Sequence, residues 1–104
     1  MKTEELIKKK YGKLAVTEKA GELLFRWPDA LKVIDEIDNQ GKIISGMNFW
    51  AQRDNSIIEV NSTDYSDINE GPEAHKKTIE AARTLIKDEL PDTADYVSFI
   101  VSGS

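Results

Sequence analysis

The chain contains no cysteine among its 104 residues, so disulfide bonds, thiolate nucleophiles and thiolate metal sites are all excluded. A domain of this size without disulfides must be held together by its hydrophobic core alone, which is typical of the reducing cytoplasm. The amino terminus is basic but lacks the apolar stretch of a signal peptide, and no apolar run approaches the ~18 residues needed to cross a bilayer. We therefore expect a single cytoplasmic domain over residues 1–104 that does not bind membranes.

Motifs for catalysis and for tightly bound ligands are also missing. There is no glycine-rich phosphate loop and no Gly-x-Ser-x-Gly nucleophile elbow, and the acidic residues lack the spacing of a calcium loop. The only histidine, His75, lies on the same side of a predicted helix as Ile79 and Ile86, which favours a packed side chain over a general base. We predict no catalytic residue, metal site or cofactor. A small enzyme or ligand-binding domain with a pocket near His75 is the alternative.

Positive charge is scarce after the first quarter of the chain. Residues 1–27 contain seven basic and four acidic residues, whereas residues 28–104 contain seven basic and 15 acidic residues, a net charge of −8. Four of these carboxylates fall between Asp64 and Glu73, around Tyr65. A concentrated negative surface repels nucleic acids and membranes and attracts cationic partners, so the composition predicts a protein that binds a cationic protein.

The spacing of apolar residues predicts three helices and three strands in the order α-α-β-β-α-β. The first helix covers 3–11, the second begins near Pro28 and ends at Gly41, and the third begins near Pro72 and is stopped by Pro91. Between the first two, residues 17–26 are ambiguous and are interpreted as one helical turn leading into a buried Leu-Leu-Phe stretch. The strands cover 42–52, 56–62 and 96–102.

These elements predict an α+β fold with helices packed on one face of a small, three-stranded mixed sheet. Residues 53–55 are turn-forming, so the first two strands should form an antiparallel hairpin. The last strand follows a crossover helix, and we expect it to join the sheet in parallel beside one hairpin strand. Gly46, inside the first strand, indicates a bulge or a close approach of another backbone.

Two aromatic residues and the acidic segment are the candidates for partner binding. If Phe49 faces the core, Trp50 faces the other side of the sheet, where it is either partly exposed or covered by the N-terminal segment. Tyr65 is the better candidate for an exposed aromatic residue. It stands among carboxylates that would resemble the charge pattern of a nucleic-acid backbone, although a loop kept acidic for solubility would look the same. The candidate partner-binding residues are Trp50, Asp54, Asp64, Tyr65, Asp67, Glu70 and Glu73.

From residue 27 to residue 102 the chain resembles the small immunity proteins of bacterial polymorphic toxin and contact-dependent inhibition systems. The features are a helix with the sequence PDALKVIDEI, an apolar strand GKIISGMNFW that carries Gly46 and Trp50, a polar loop, a long helix and a closing strand. The resemblance implies a non-enzymatic inhibitor that binds its cognate toxin in the cytoplasm of the producing cell. Covering a basic active site would suit the acidic segment. A homo-oligomeric adaptor that pairs through an exposed Trp50 face is a further alternative.

Overall fold

The computed structural model describes residues 9, 11–13, 15–19, 22–65, 67, 68, 71–88 and 94–102. Its elements follow one another as strand, strand, helix, strand, strand, helix and strand. They are β1 (Thr17–Lys19), β2 (Glu22–Leu24), α1 (Trp27–Asn39), β3 (Ile43–Arg53), β4 (Ser56–Asp64), α2 (Ala74–Asp88) and β5 (Tyr96–Ser102). The predicted α+β class and three-stranded main sheet are confirmed.

Helix α1 begins and ends where its sequence predicts. Pro28 occupies the first turn, where its missing N–H removes no helical hydrogen bond. Gly41, just beyond the helix, has a φ of +69°, the left-handed conformation that glycine adopts at a helix end. Trp27 opens the helix with its ring 5.9 Å from that of Phe49, and its indole N–H donates to the carbonyl of Ala94 at 3.3 Å. These contacts fix the helix entry against the sheet.

Strands β3 and β4 form the predicted antiparallel hairpin. Asp54, in the two-residue turn, has a φ of +53°, which aspartate tolerates better than most residues. The expectation for Gly46 is also confirmed. The β3–β5 register shifts between Ile44 and Gly46, and a Cβ atom on Gly46 would lie 2.7 Å from the backbone oxygen of Thr63. A bulge and a close backbone approach therefore occur together.

The expectation of a parallel last strand is wrong, because the main sheet is antiparallel throughout, in the order β4-β3-β5. Both β4 and β5 run antiparallel to β3, so they run parallel to each other. The connection through α2 therefore returns the chain in the direction of β4, as a crossover does. This connection places β5 beside β3, on the side away from β4. β5 would run parallel to β4 in either position, so the strand directions alone do not identify its neighbour.

The N-terminal segment is a second hairpin and not the helical turn predicted within 17–26. β1 pairs antiparallel with β2 over three residues. The next residue, Phe25, exchanges two backbone hydrogen bonds of 2.9 Å with Val97, so the chain continues along the outer edge of β5. Leu24 and Phe25 are buried, as predicted. Of the helix predicted over 3–11, Lys9 and Tyr11 are helical and Gly12 is in a turn; its other residues lie outside the described part of the chain.

The hydrophobic core lies between the two helices and one face of the main sheet. That face contributes Met47, Phe49 and Val97, which are at most 2 % exposed. The helices contribute the apolar stripes that their periodicity predicts. These are Ala30, Val33, Ile34 and Ile37 of α1, and Ile79, Ala82 and Ile86 of α2. The polar loop and the outer strand β4 are thereby left at the periphery.

Candidate functional site: an acidic edge of the sheet

The candidate surface is one long edge of the main sheet. The segment from Asp54 to Glu73 contains six carboxylates and no lysine or arginine. It comprises the hairpin turn, the edge strand β4 and the loop to α2. We call these six carboxylates the acidic edge; they are Asp54, Glu59, Asp64, Asp67, Glu70 and Glu73. All except Glu70, which lies outside the described residues, have exposed side chains.

The carboxylates are spread along the sheet instead of meeting at one point. Asp54 precedes β4 and Asp64 ends it. The eight-residue step from Ser56 to Asp64 covers about 26 Å at ~3.3 Å per residue. Asp54 therefore lies far from the loop carboxylates, with which it was grouped as a candidate. Glu59 was not among the predicted residues. It lies on the exposed strand between the two ends and makes the line of carboxylates continuous.

Tyr65 has a structural role that the sequence did not indicate. Its backbone N–H donates to the carbonyl of Ser45 at 2.9 Å, and its half-buried side chain packs against the core. Its own carbonyl accepts from the N–H of Ile68 at 3.0 Å. Tyr65 thus anchors the start of the loop and holds Asp67 at an exposed turn. Tyr65 is therefore only partly exposed, and the expectation that it is an exposed aromatic residue among the carboxylates is wrong.

Trp50 is 8 % exposed, so the covered alternative is correct and the exposed one is wrong. Its indole N–H donates to the hydroxyl oxygen of Ser98 at 2.9 Å. The Ser98 hydroxyl, itself fully buried, donates to a carboxylate oxygen of Glu22 at 2.6 Å. The same carboxylate accepts from the side-chain amide of Asn48 at 2.9 and 3.2 Å. The first residue of β2 thus reaches across this face of the sheet and joins β5 to β3.

This hydrogen-bonded network explains why Trp50 cannot act as an anchor for a partner. Buried indole and hydroxyl groups are costly to leave unpaired, and here each donor has an acceptor. A partner could reach the indole only by displacing Glu22 and the hairpin. One signal was present in the sequence, because Asn48 and Ser98 are polar residues on the face shared with Trp50. Nothing in the pattern identified Glu22 as their partner.

His75 bridges three elements through both ring nitrogens. Nδ1 lies 2.6 Å from the carbonyl oxygen of Lys42, and Nε2 lies 2.9 Å from a carboxylate oxygen of Asp38. Both neighbours are acceptors, so both contacts are hydrogen bonds only when each nitrogen carries a hydrogen. The residue therefore ties the start of α2 to α1 and to the entry of β3. An activity at His75 stays a hypothesis that these contacts do nothing to support.

Arg83 extends the same bridge between the helices. One terminal nitrogen lies 2.7 Å from Asp35 and 3.1 Å from Asp38. The hydrogen bond to Asp35 raises the pKa of Arg83 above its ordinary value, and the hydrogen bond to Asp38 contributes to this rise to a smaller extent. Asp35 and Asp38, two of the four carboxylates of α1, are thereby occupied within the fold. The charge of α1 is therefore structural in part.

The parts of the chain that the structure describes contain no group of three histidine, cysteine, aspartate or glutamate side chains arranged to hold a metal ion. In the same residues, no helix combines the length and apolarity needed to span a membrane. No family model, no curated protein and no solved structure matches the chain. The fold and the acidic edge are therefore the basis for any functional conclusion.

Proposed function

We propose that this chain is a non-enzymatic, cytoplasmic protein that neutralises a cognate bacterial toxin by covering its basic active site with the acidic edge. The observation that carries the proposal is the segment Asp54–Glu73, which lines one edge of the sheet with carboxylates and contains no lysine or arginine. A one-sign surface of this length steers a cationic partner and rejects nucleic acids. The resemblance to small immunity proteins supports the choice of a toxin as the partner.

The described residues restrict which side chains make contact. Asp64, Asp67 and Glu73 are exposed near the carboxyl end of β4, and Asp54 and Glu59 are exposed along the rest of the edge. Tyr65 contributes its partly exposed surface, whereas Trp50 is buried and is not included. Glu70 keeps its place in the candidate set on sequence grounds.

The test is the rate of association with a candidate toxin domain, taken from a reading frame adjacent to the one that encodes this chain. Asp67→Lys combined with Glu70→Lys should slow association about tenfold at low salt and weaken its salt dependence, because long-range attraction is lost. The matched control, Glu80→Lys combined with Asp88→Lys, makes the same charge change on exposed positions of α2. Equal rates for the two double variants would contradict the assignment to this edge.

Two single substitutions then decide which end of the edge meets the partner. Asp54→Asn and Asp67→Asn each remove one negative charge, and Asn tolerates the positive φ at position 54. If the loop end covers the active site, Asp67→Asn should raise the dissociation constant more than Asp54→Asn. The reverse order would move the contact to the hairpin turn.

A further inference from the structure

The two outer edges of the main sheet differ. At the β5 edge, Phe25 and Val97 exchange backbone hydrogen bonds in both directions at 2.9 Å. At the opposite edge, β4 is nine residues long and has β3 as its one neighbouring strand within the described part of the chain. A strand paired on one side presents unpaired N–H and C=O groups on the other. Within the described residues, the β5 edge is therefore bridged at Val97, whereas the longer β4 edge has no strand on its outer side. One amide of β4 is already occupied, because the N–H of Ser62 donates to the side-chain oxygen of Asn61 at 2.8 Å.

β4 lacks most of the features that protect edge strands. Natural edges are commonly short or carry lysine or proline, and β4 contains neither residue type. It has one register shift, opposite Phe49 and Trp50, which separates two regular stretches of four residues, Ser56–Glu59 and Asn61–Asp64. None of its nine residues is buried, and Ile58 is 45 % exposed. The strand therefore offers both backbone groups and apolar surface.

The negative charge of this edge indicates which kind of strand can pair with it. Glu59 lies within β4, and Asp54 and Asp64 lie at its two ends, with no basic residue between them. A second copy of the chain would bring the same carboxylates into the interface, and like charges across paired strands are destabilising. A strand that carries lysine or arginine would instead place opposite charges along the edge.

We infer that an extended, lysine- or arginine-bearing segment of the partner adds to the sheet as a new strand along the outer edge of β4. This inference rests on the proposed function and specifies how the cationic partner binds. Main-chain hydrogen bonds to β4 supply affinity, while basic side chains opposite Glu59 and apolar ones over Ile58 supply selectivity. The loop carboxylates then extend the attraction beyond the end of the strand.

The probe is a ten-residue peptide of alternating lysine and valine, titrated into the isotope-labelled protein and followed by amide NMR. The matched peptide replaces valine by proline, so that it keeps the charge, loses the N–H donor of every second residue and cannot form a regular ladder. With the first peptide at about ten times its Kd, the outward-facing β4 amides should exchange with solvent about tenfold more slowly. The proline peptide should leave them unchanged.

Glu59→Lys should weaken binding of the lysine–valine peptide about fivefold, in the range of an exposed ion pair, and Glu80→Lys on α2 should leave it unchanged. Equal shifts with both peptides, centred on Asp67, would overturn strand addition in favour of simple charge attraction. If the free protein self-associates and Glu59→Lys abolishes this self-association, the occupant of the edge would be a second copy of the chain.

The two proposals fail separately. If the cognate toxin binds but leaves the β4 amides unprotected, strand addition is wrong and the proposed function stands. If the toxin does not bind while the lysine–valine peptide protects β4, the open edge stands and the toxin assignment is wrong.

Discussion

Ser98→Ala tests the hydrogen-bonded network that holds the N-terminal hairpin on the sheet. Ser98 is fully buried, accepts from the indole of Trp50 and donates to Glu22. Its removal leaves the buried indole N–H without an acceptor, which costs about 1–3 kcal/mol. Glu22 is half-buried, so water can replace part of its lost hydrogen bond. The loss of unfolding free energy should be about 2 kcal/mol, or about 8–16 °C in Tm for a chain of this size.

Urea unfolding followed by circular dichroism measures this difference, with Ser62→Ala as the matched control. Ser62 lies in register with Asn48 on the same face of the sheet, but it is exposed. Its replacement should therefore change the free energy of unfolding by no more than about 0.5 kcal/mol. Equal effects of the two substitutions would refute the network and the covering role of the hairpin.

A double-mutant cycle separates the network from a general packing effect. Glu22→Met keeps the approximate size of the side chain and removes both acceptor oxygens. Because Ser98 and Glu22 share a hydrogen bond of 2.6 Å, the double variant should show a coupling energy of about 0.5–3 kcal/mol. Strict additivity would mean that the two side chains do not interact in solution.

Two further substitutions test contacts outside this network. Gly46→Ala should destabilise the fold by about 1–3 kcal/mol in the same urea assay, since its methyl group would meet the Thr63 carbonyl at 2.7 Å. An effect below that of an exposed Ser→Ala change would contradict the close approach. Arg83→Ala, which removes the bridge to Asp35 and Asp38 of α1, should cost about 0.5–1 kcal/mol. That cost should diminish at about 1 M salt, where the Debye length is ~3 Å, and a salt-independent cost would instead indicate lost packing of the arginine stem.

Local patterns were sufficient for the elements that carry strong backbone signals. Pro28 and Gly41 define α1, the residues at 53–55 define the hairpin, and Gly46 indicates the bulge; all three were correct because each depends on steric limits of nearby residues. The neighbour of β5 in the sheet was not predictable in this way. It depends on whether the strand lies beside β3 or beside β4, and that choice is made by packing between distant residues.

The candidate site shows the same division. Exposure of Asp54, Asp64 and Asp67 could be expected from charge alone. The burial of Trp50 depends on Glu22, 28 positions earlier, and on Ser98, 48 positions later. No periodicity connects positions so far apart in the chain, so the sequence left both an exposed and a covered Trp50 open. The hydrogen bonds of the network show why Trp50 is covered.

The contrast between β3 and β4 supports the proposal that a partner binds at the acidic edge. β3 is paired on both sides, is covered by the core on one face and is tied to the hairpin on the other. Six of its eleven residues are buried, against none of nine in β4. Strands with few buried contacts open most readily, and partner-binding elements come from this least stable part of a fold. A partner strand on β4 would complete its ladder and convert the least protected strand into an internal one. Under this proposal, binding energy would be gained on the exposed outer side of β4, while the polar groups around Trp50 are already hydrogen-bonded within the chain.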